Sequence, residues 1–283
     1  MTKAEIFDSR ACALGEGPLW HPERQQLFWF DILGKRLLSQ LDGAALDWQF
    51  DEHVSAAGWI DRDRLIIASE TGLFTFDIAS GSRSLLHPLE AENPVTRSND
   101  GRADPLGGFW IGTMGKQAEP EAGAIYRLYQ GELRKLFDAI TIPNAICFTP
   151  DGTTAYFCDT PRAKIMRQPL DQAGWPVGDA TVFVDLGPEA LFPDGAVCDA
   201  EGALWNAQWG AGRVARYLPD GQLDHVVHVG GKHSSCPAFG GADFSQLFVT
   251  TARQGLHEAG PGEGCLYRAD TSYTGCPENR VIL

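Results

Sequence analysis

Short runs of β-branched and aromatic residues dominate the chain, broken about every 8–12 residues by Gly, Asp or Pro, and helical periodicity is nearly absent. That pattern predicts an all-β protein. Six times a turn is followed by a short hydrophobic strand. The first three copies are His21-Pro22 before Leu27–Phe30, Asp61-Arg62 before Leu65–Ala68, and Asp104-Pro105 before Phe109–Gly112. The last three are Pro150-Asp151-Gly152 before Ala155–Cys158, Asp199–Gly202 before Leu204–Ala207, and Ala242-Asp243 before Leu247–Thr250. Most copies lead into another strand, as at Gly123–Leu128, Gly212–Tyr217 and Gly264–Arg268.

The period of about 39 to 50 residues matches one four-stranded blade per copy, so the expected fold is a six-bladed β-propeller. A parallel β-helix would have shorter repeats. Six copies fill residues 1–283, which are read as one domain. The last copy is short of a strand, and Ala4–Asp8, ahead of the first copy, is expected to supply it and close the ring. Trp29, Trp110 and Trp205 fall in the strand runs and read as blade core.

In a propeller the first strand of each blade lines the central channel. Six residues before the Pro of each turn, or its equivalent, stand Glu16, Ala56, Asn99, Asn144, Asp194 and Cys236. Equivalent positions on repeated strands sit at similar height, so Glu16, Asn99, Asn144 and Asp194 are expected to converge at the axis. Taken singly, each is an ordinary turn or capping residue; the shared repeat position is what points to a site. Two carboxylates with amide oxygens suit one hard divalent ion, Ca²⁺ first, with Mg²⁺ or Mn²⁺ next. The lack of histidine in the set weakens Zn²⁺ without excluding it. Strand alternation puts Arg97 on the face of Asn99, where a guanidinium could hold a substrate oxygen.

The remaining features mostly exclude. A net charge of −14 repels phosphate backbones and anionic lipid, so neither nucleic acid nor membrane is an expected partner. No apolar run approaches the roughly 20 residues of a membrane helix, and the first residues lack a signal-peptide pattern. A soluble, cytoplasmic protein is expected. Seven irregularly spaced cysteines without a Cys-x-x-Cys pair are expected to be reduced thiols. His225, His228, His233 and His257 show no metal-ligand spacing and are read as solvated or capping residues. There is no Gly-x-Ser-x-Gly, P-loop or His-Glu-x-x-His motif.

At these same residues the chain resembles the regucalcin/gluconolactonase family, the senescence-marker-protein or luciferin-regenerating-enzyme group. The matching segments are Gly15-Glu16-Gly17-Pro18-Leu19-Trp20, Arg97-Ser98-Asn99-Asp100-Gly101, Gly112-Thr113-Met114, Pro143-Asn144, Pro193-Asp194-Gly195 and Phe239-Gly240-Gly241. The resemblance implies a divalent metal held by Glu16, Asn144 and Asp194, with Arg97 and Asn99 on the substrate and Asp194 as general base. It moves Asn99 from the metal, where the repeat alone puts it, toward the substrate. Family members carry acidic residues soon after Gly-Thr-Met, whereas this chain has Lys116 and Gln117, a departure that bears on substrate preference. The implied reaction is metal-dependent hydrolysis of a sugar lactone, with no obligate protein partner. An esterase or phosphotriesterase on the same scaffold is the enzymatic alternative. The others are a calcium-binding regulatory propeller and a protein-interaction propeller, the last opposed by the axial carboxylates.

Overall fold

The computed structural model describes residues 2–283. Six sheets, antiparallel apart from one added edge strand, make up a six-bladed β-propeller. The inner strands of blades 1 to 6 are Gly15–His21, Val54–Asp61, Thr96–Ala103, Pro143–Phe148, Phe192–Cys198 and His233–Gly240. The segment Glu5–Asp8 lies antiparallel beside Leu266–Asp270 as the outermost strand of blade 6, and Phe7 meets Phe248 edge-on. Ahead of it, Thr2–Lys3 pairs in parallel with Leu223–His228 and gives blade 5 a fifth strand, an addition that two residues are too short to announce in sequence. No helix among the described residues is long and apolar enough to cross a membrane, and the seven cysteines are free thiols.

Packing lies between the faces of adjacent blades. Phe28, Phe30, Leu65 and Phe76 share one core cluster, and Trp205, Phe239, Leu247 and Tyr267 another. Burying side chains of this size contributes about 1.5–3 kcal/mol each. Trp29, Trp110 and Trp205 are all fully buried, as their strand positions predict. Two blades add a repeated polar anchor. In blade 3, Asp104 accepts bonds from Arg127 Nε (2.7 Å), Trp110 Nε1 (3.2 Å) and the turn amides of Leu106 and Gly108. In blade 5, Asp199 accepts the same set from Arg216 Nε (2.7 Å), Trp205 Nε1 (2.9 Å) and the amides of Glu201 and Ala203. Each carboxylate thereby ties turn, second strand and third strand together, with its charge matched inside the protein.

The C-terminal segment crosses the face of the ring opposite the inner-strand starts. Ala200 N donates to Thr274 O, Gly275 N to Phe244 O, Val281 N to Trp59 O and Ile282 N to Gly107 O, so it touches blades 5, 6, 2 and 3. From this segment Glu278 pairs with buried Arg102, closing that end of the channel with an ion pair. The opposite end stays open.

Candidate functional site

Every inner strand loses register with its neighbour close to the repeat position singled out above. The shifts fall between Glu16 and Leu19, Val54 and Ala56, Ser98 and Gly101, Asn144 and Cys147, Pro193 and Ala196, and Ser234 and Pro237. A bulge re-aims side chains that regular alternation would send into the sheets, and so turns a ring of strands toward one point. Gly and Pro around these residues serve the bulges. Gly17 has φ +52°, and a Cβ there would run into the Ser55 carbonyl oxygen. At Gly195 a Cβ would collide with the Cys236 side chain.

Glu16, Arg97, Asn99, Asn144 and Asp194 all line one open cavity of about 560 Å³ at the mouth of the channel. The other two repeat positions, Ala56 and Cys236, are buried apolar residues outside that wall. A hydrogen-bonded chain orients the amides. Arg97 Nη1 donates to Asn99 Oδ1 (2.9 Å), and Asn99 Nδ2 donates to Asn144 Oδ1 (2.9 Å) and Pro143 O (3.0 Å). Asn144 Nδ2 donates to Thr160 Oγ1 (2.9 Å), whose hydroxyl donates to Pro193 O (2.8 Å). Both Asn99 amide hydrogens are consumed, so Asn99 can meet a ligand only through its oxygen. Arg97 Nη1 also holds Ser98 O at 2.8 Å, while its Nε and Nη2 have no partner among the described residues.

The carboxylates are the unusual part. Asp194 and Glu16 are buried, yet among the described residues neither carboxylate has a side-chain donor: Glu16 accepts from Gly17 N at 3.3 Å, and Asp194 has only a backbone contact from Gly195. Burial pushes both acids well up, and the nearby acids reinforce it: Asp100 on Glu16, and Glu16 with Asp100 on Asp194. Asp100, just below, is pushed up to about 6 by burial, against a bond from Ile146 N (2.8 Å) and the field of Arg102. Burial likewise pushes Arg97 down to about 10, opposed by Glu16, Glu70 and Asp194, and it stays cationic at neutral pH.

Among the described residues no three His, Cys, Asp or Glu side chains group as metal ligands, so a cation here would rest on two carboxylates and amide oxygen. The donor set fits that role. Two buried acids with almost no internal partners gain most from a divalent charge between them, and Asn144 is oriented with its oxygen toward Asn99 and the cavity wall.

Some of the wall was not visible in the sequence. His233 is buried in the cavity lining, contrary to its reading as a solvated or capping residue. Its ring stacks on Trp209 at 4.2 Å, and its Nδ1 lies 2.9 Å from Gln254 O. The turn-based repeat alignment sets Ser234 opposite Arg97; only the register shifts of the paired strands bring His233 to that level. Lys116 and Gln117 also line the cavity, with Lys116 Nζ donating to Glu70 Oε1 (3.1 Å) and Pro94 O (3.0 Å).

Comparison with known proteins agrees with this fold. Residues 14–253 match the model of the SMP-30/Gluconolactonase/LRE-like region. An L-arabinolactonase of Azospirillum brasilense is 36% identical over 96% of this chain and 93% of its own length. A 6-deoxy-6-sulfogluconolactonase of Pseudomonas putida is 32% identical over 94% of each chain. The crystal structure of a calcium-binding protein, regucalcin, from Agrobacterium tumefaciens superposes with a TM-score of 0.97 at 42% identity, covering 100% of this chain and 98% of the other. Because the matched segment runs through the inner strands of all six blades, and so carries every wall residue that the bulges turn inward, the chain belongs to the SMP-30/gluconolactonase/LRE-like family.

Proposed function

We propose that the chain hydrolyses a sugar lactone to its aldonic acid, using one divalent ion held by Glu16, Asn144 and Asp194. The observation that carries this reading is the pair of buried, nearly unpartnered carboxylates facing a cavity that also presents unused guanidinium donors. The lactonase names of the Azospirillum and Pseudomonas relatives support lactone as the substrate class. All-oxygen donors and the calcium-binding regucalcin support Ca²⁺ before Mn²⁺, Mg²⁺ or Zn²⁺.

When bound, such an ion supplies Lewis-acid polarisation and offsets the charge of the two acids. The protein's own groups account for the rest. The free donors of Arg97 hold the lactone carbonyl oxygen and stabilise the negative charge that develops on it. Asn99 keeps Arg97 in place and offers its oxygen to a sugar hydroxyl. Asp194 takes a proton from the water that attacks the carbonyl carbon. The ring C–O bond then breaks, and the departing alkoxide receives that proton, giving the open hydroxy acid. With no side-chain donor among the described residues, Asp194 keeps lone pairs available for this work.

The test is a panel of aldonolactones assayed after chelation, with Ca²⁺, Mg²⁺, Mn²⁺ or Zn²⁺ returned singly. At least one lactone should open faster than in buffer, and only with metal restored. Failure on every combination removes the enzymatic reading and leaves a calcium-binding propeller, which the regucalcin likeness favours but the idle Arg97 donors do not explain.

A further inference from the structure

Arg97 and His233 occupy the same place in two different blades. Each is the last residue but one before its strand's register shift: Arg97 pairs with Met114 and Ser98 with Thr113, while His233 pairs with Ala252 and Ser234 with Thr251. They belong to blades 3 and 6, three blades apart in a ring of six, so they stand on opposite sides of the axis. Both line the same cavity. One is a cation that can only donate. The other is held as an acceptor.

The hydrogen-bond geometry forces that state on His233. A carbonyl oxygen cannot donate, so the Nδ1 beside Gln254 O must carry the ring proton, which leaves Nε2 with its lone pair. Only 8% of the residue is exposed, and Nε2 has no hydrogen-bond partner among the described residues. Burial lowers the His233 pKa, keeping the ring neutral around pH 7. The stack on Trp209 and the bond to Gln254 leave the ring little freedom to turn away.

We propose that His233 is a substrate-binding residue whose Nε2 accepts a hydrogen bond from a sugar hydroxyl across the axis from Arg97, selecting hydroxylated over plain alkyl lactones. This rests on the lactonase reading above. An alkyl lactone offers the same carbonyl to Arg97 but no donor to His233, and a buried acceptor left unpaired costs binding.

The test uses His233→Phe, which keeps the flat ring beside Trp209 but removes the acceptor, and His233→Gln, which restores a side-chain oxygen. Both are first checked for wild-type melting. Binding of an aldonolactam, a sugar-acid ring that keeps the hydroxyls but resists hydrolysis, is measured by calorimetry. Initial rates are measured on an aldonolactone and on δ-valerolactone. His233→Phe should weaken lactam binding and raise the aldonolactone KM by about tenfold or more, with kcat within about threefold and valerolactone unaffected. His233→Gln should recover part of the loss. Equal lactam affinity in wild type and His233→Phe, no lactam binding by wild type, or equal losses on both lactones would each overturn the assignment. A wild type that opens no lactone would remove the proposed function, while the lactam titration still decides the role of His233.

Discussion

Two regions of this molecule hold buried carboxylates in opposite circumstances. Asp104 and Asp199 sit at blade turns, each with an arginine Nε at 2.7 Å, an indole N–H and two backbone amides. Glu16 and Asp194 sit at the axis, also buried but in the wall of an open cavity, with only the adjacent backbone amides of Gly17 and Gly195 as donors among the described residues. The first arrangement is complete without any ligand. The second gathers acids in a desolvated wall that favours their neutral form, an arrangement a protein sustains where a ligand supplies the partner charge. Burial alone therefore says little about role; completeness of the hydrogen-bond shell separates anchor from site.

That contrast can be broken most sharply at Asp194. Asp194→Asn should lower kcat by about 10²–10⁴-fold at saturating metal while the melting temperature of chelated protein stays level or rises. A variant with wild-type kcat would take the base role from Asp194. The mirror experiment is Asp104→Asn, which strands buried Arg127. It should cost about 3–5 kcal/mol in denaturant unfolding yet leave kcat/KM of the surviving folded protein near wild type. A stable Asp104→Asn protein would mean that the blade anchor is not what it looks like.

Asp100 offers a smaller, pH-resolved effect. Its folded pKa of about 6 lies above the ordinary 3.8, because burial favours the neutral acid. The stability this represents is complete below the ordinary value and is lost as pH rises through about 6. A rise of that size corresponds to roughly 3 kcal/mol. In chelator, Asp100→Asn should then melt above wild type at about pH 8 and close to it at about pH 4, tracked by thermal unfolding. An Asp100→Asn protein that is no more stable at the higher pH would show that Arg102 already satisfies the charge.

The propeller was legible because its signal repeats. A turn followed by a hydrophobic run recurs six times, and six weak strand signals in phase outweigh the ambiguity of any one. The phase also led to Glu16, Asn99, Asn144 and Asp194, all of which line the cavity; their roles are the part that remains proposed. Three things were hidden. The bulges that aim these side chains depend on pairing between strands, and sequence spacing alone does not show where register slips. His233 carries no motif, because its neutral state is set by Gln254, distant in sequence, and by the Trp209 ring. Glu278 reaches the axis only because the C-terminal segment crosses the ring, a path that no local pattern encodes.

The central claim, that the unmatched axial acids are a cation site, is tested most directly by calorimetric titration of Ca²⁺ into chelator-treated wild type and Glu16→Gln. The substitution removes one axial charge while nearly keeping shape. One ion should bind per wild-type chain, with an affinity at least about tenfold weaker in Glu16→Gln and both proteins equally folded. Wild type that binds no divalent ion, or Glu16→Gln that binds as tightly as wild type, would contradict it.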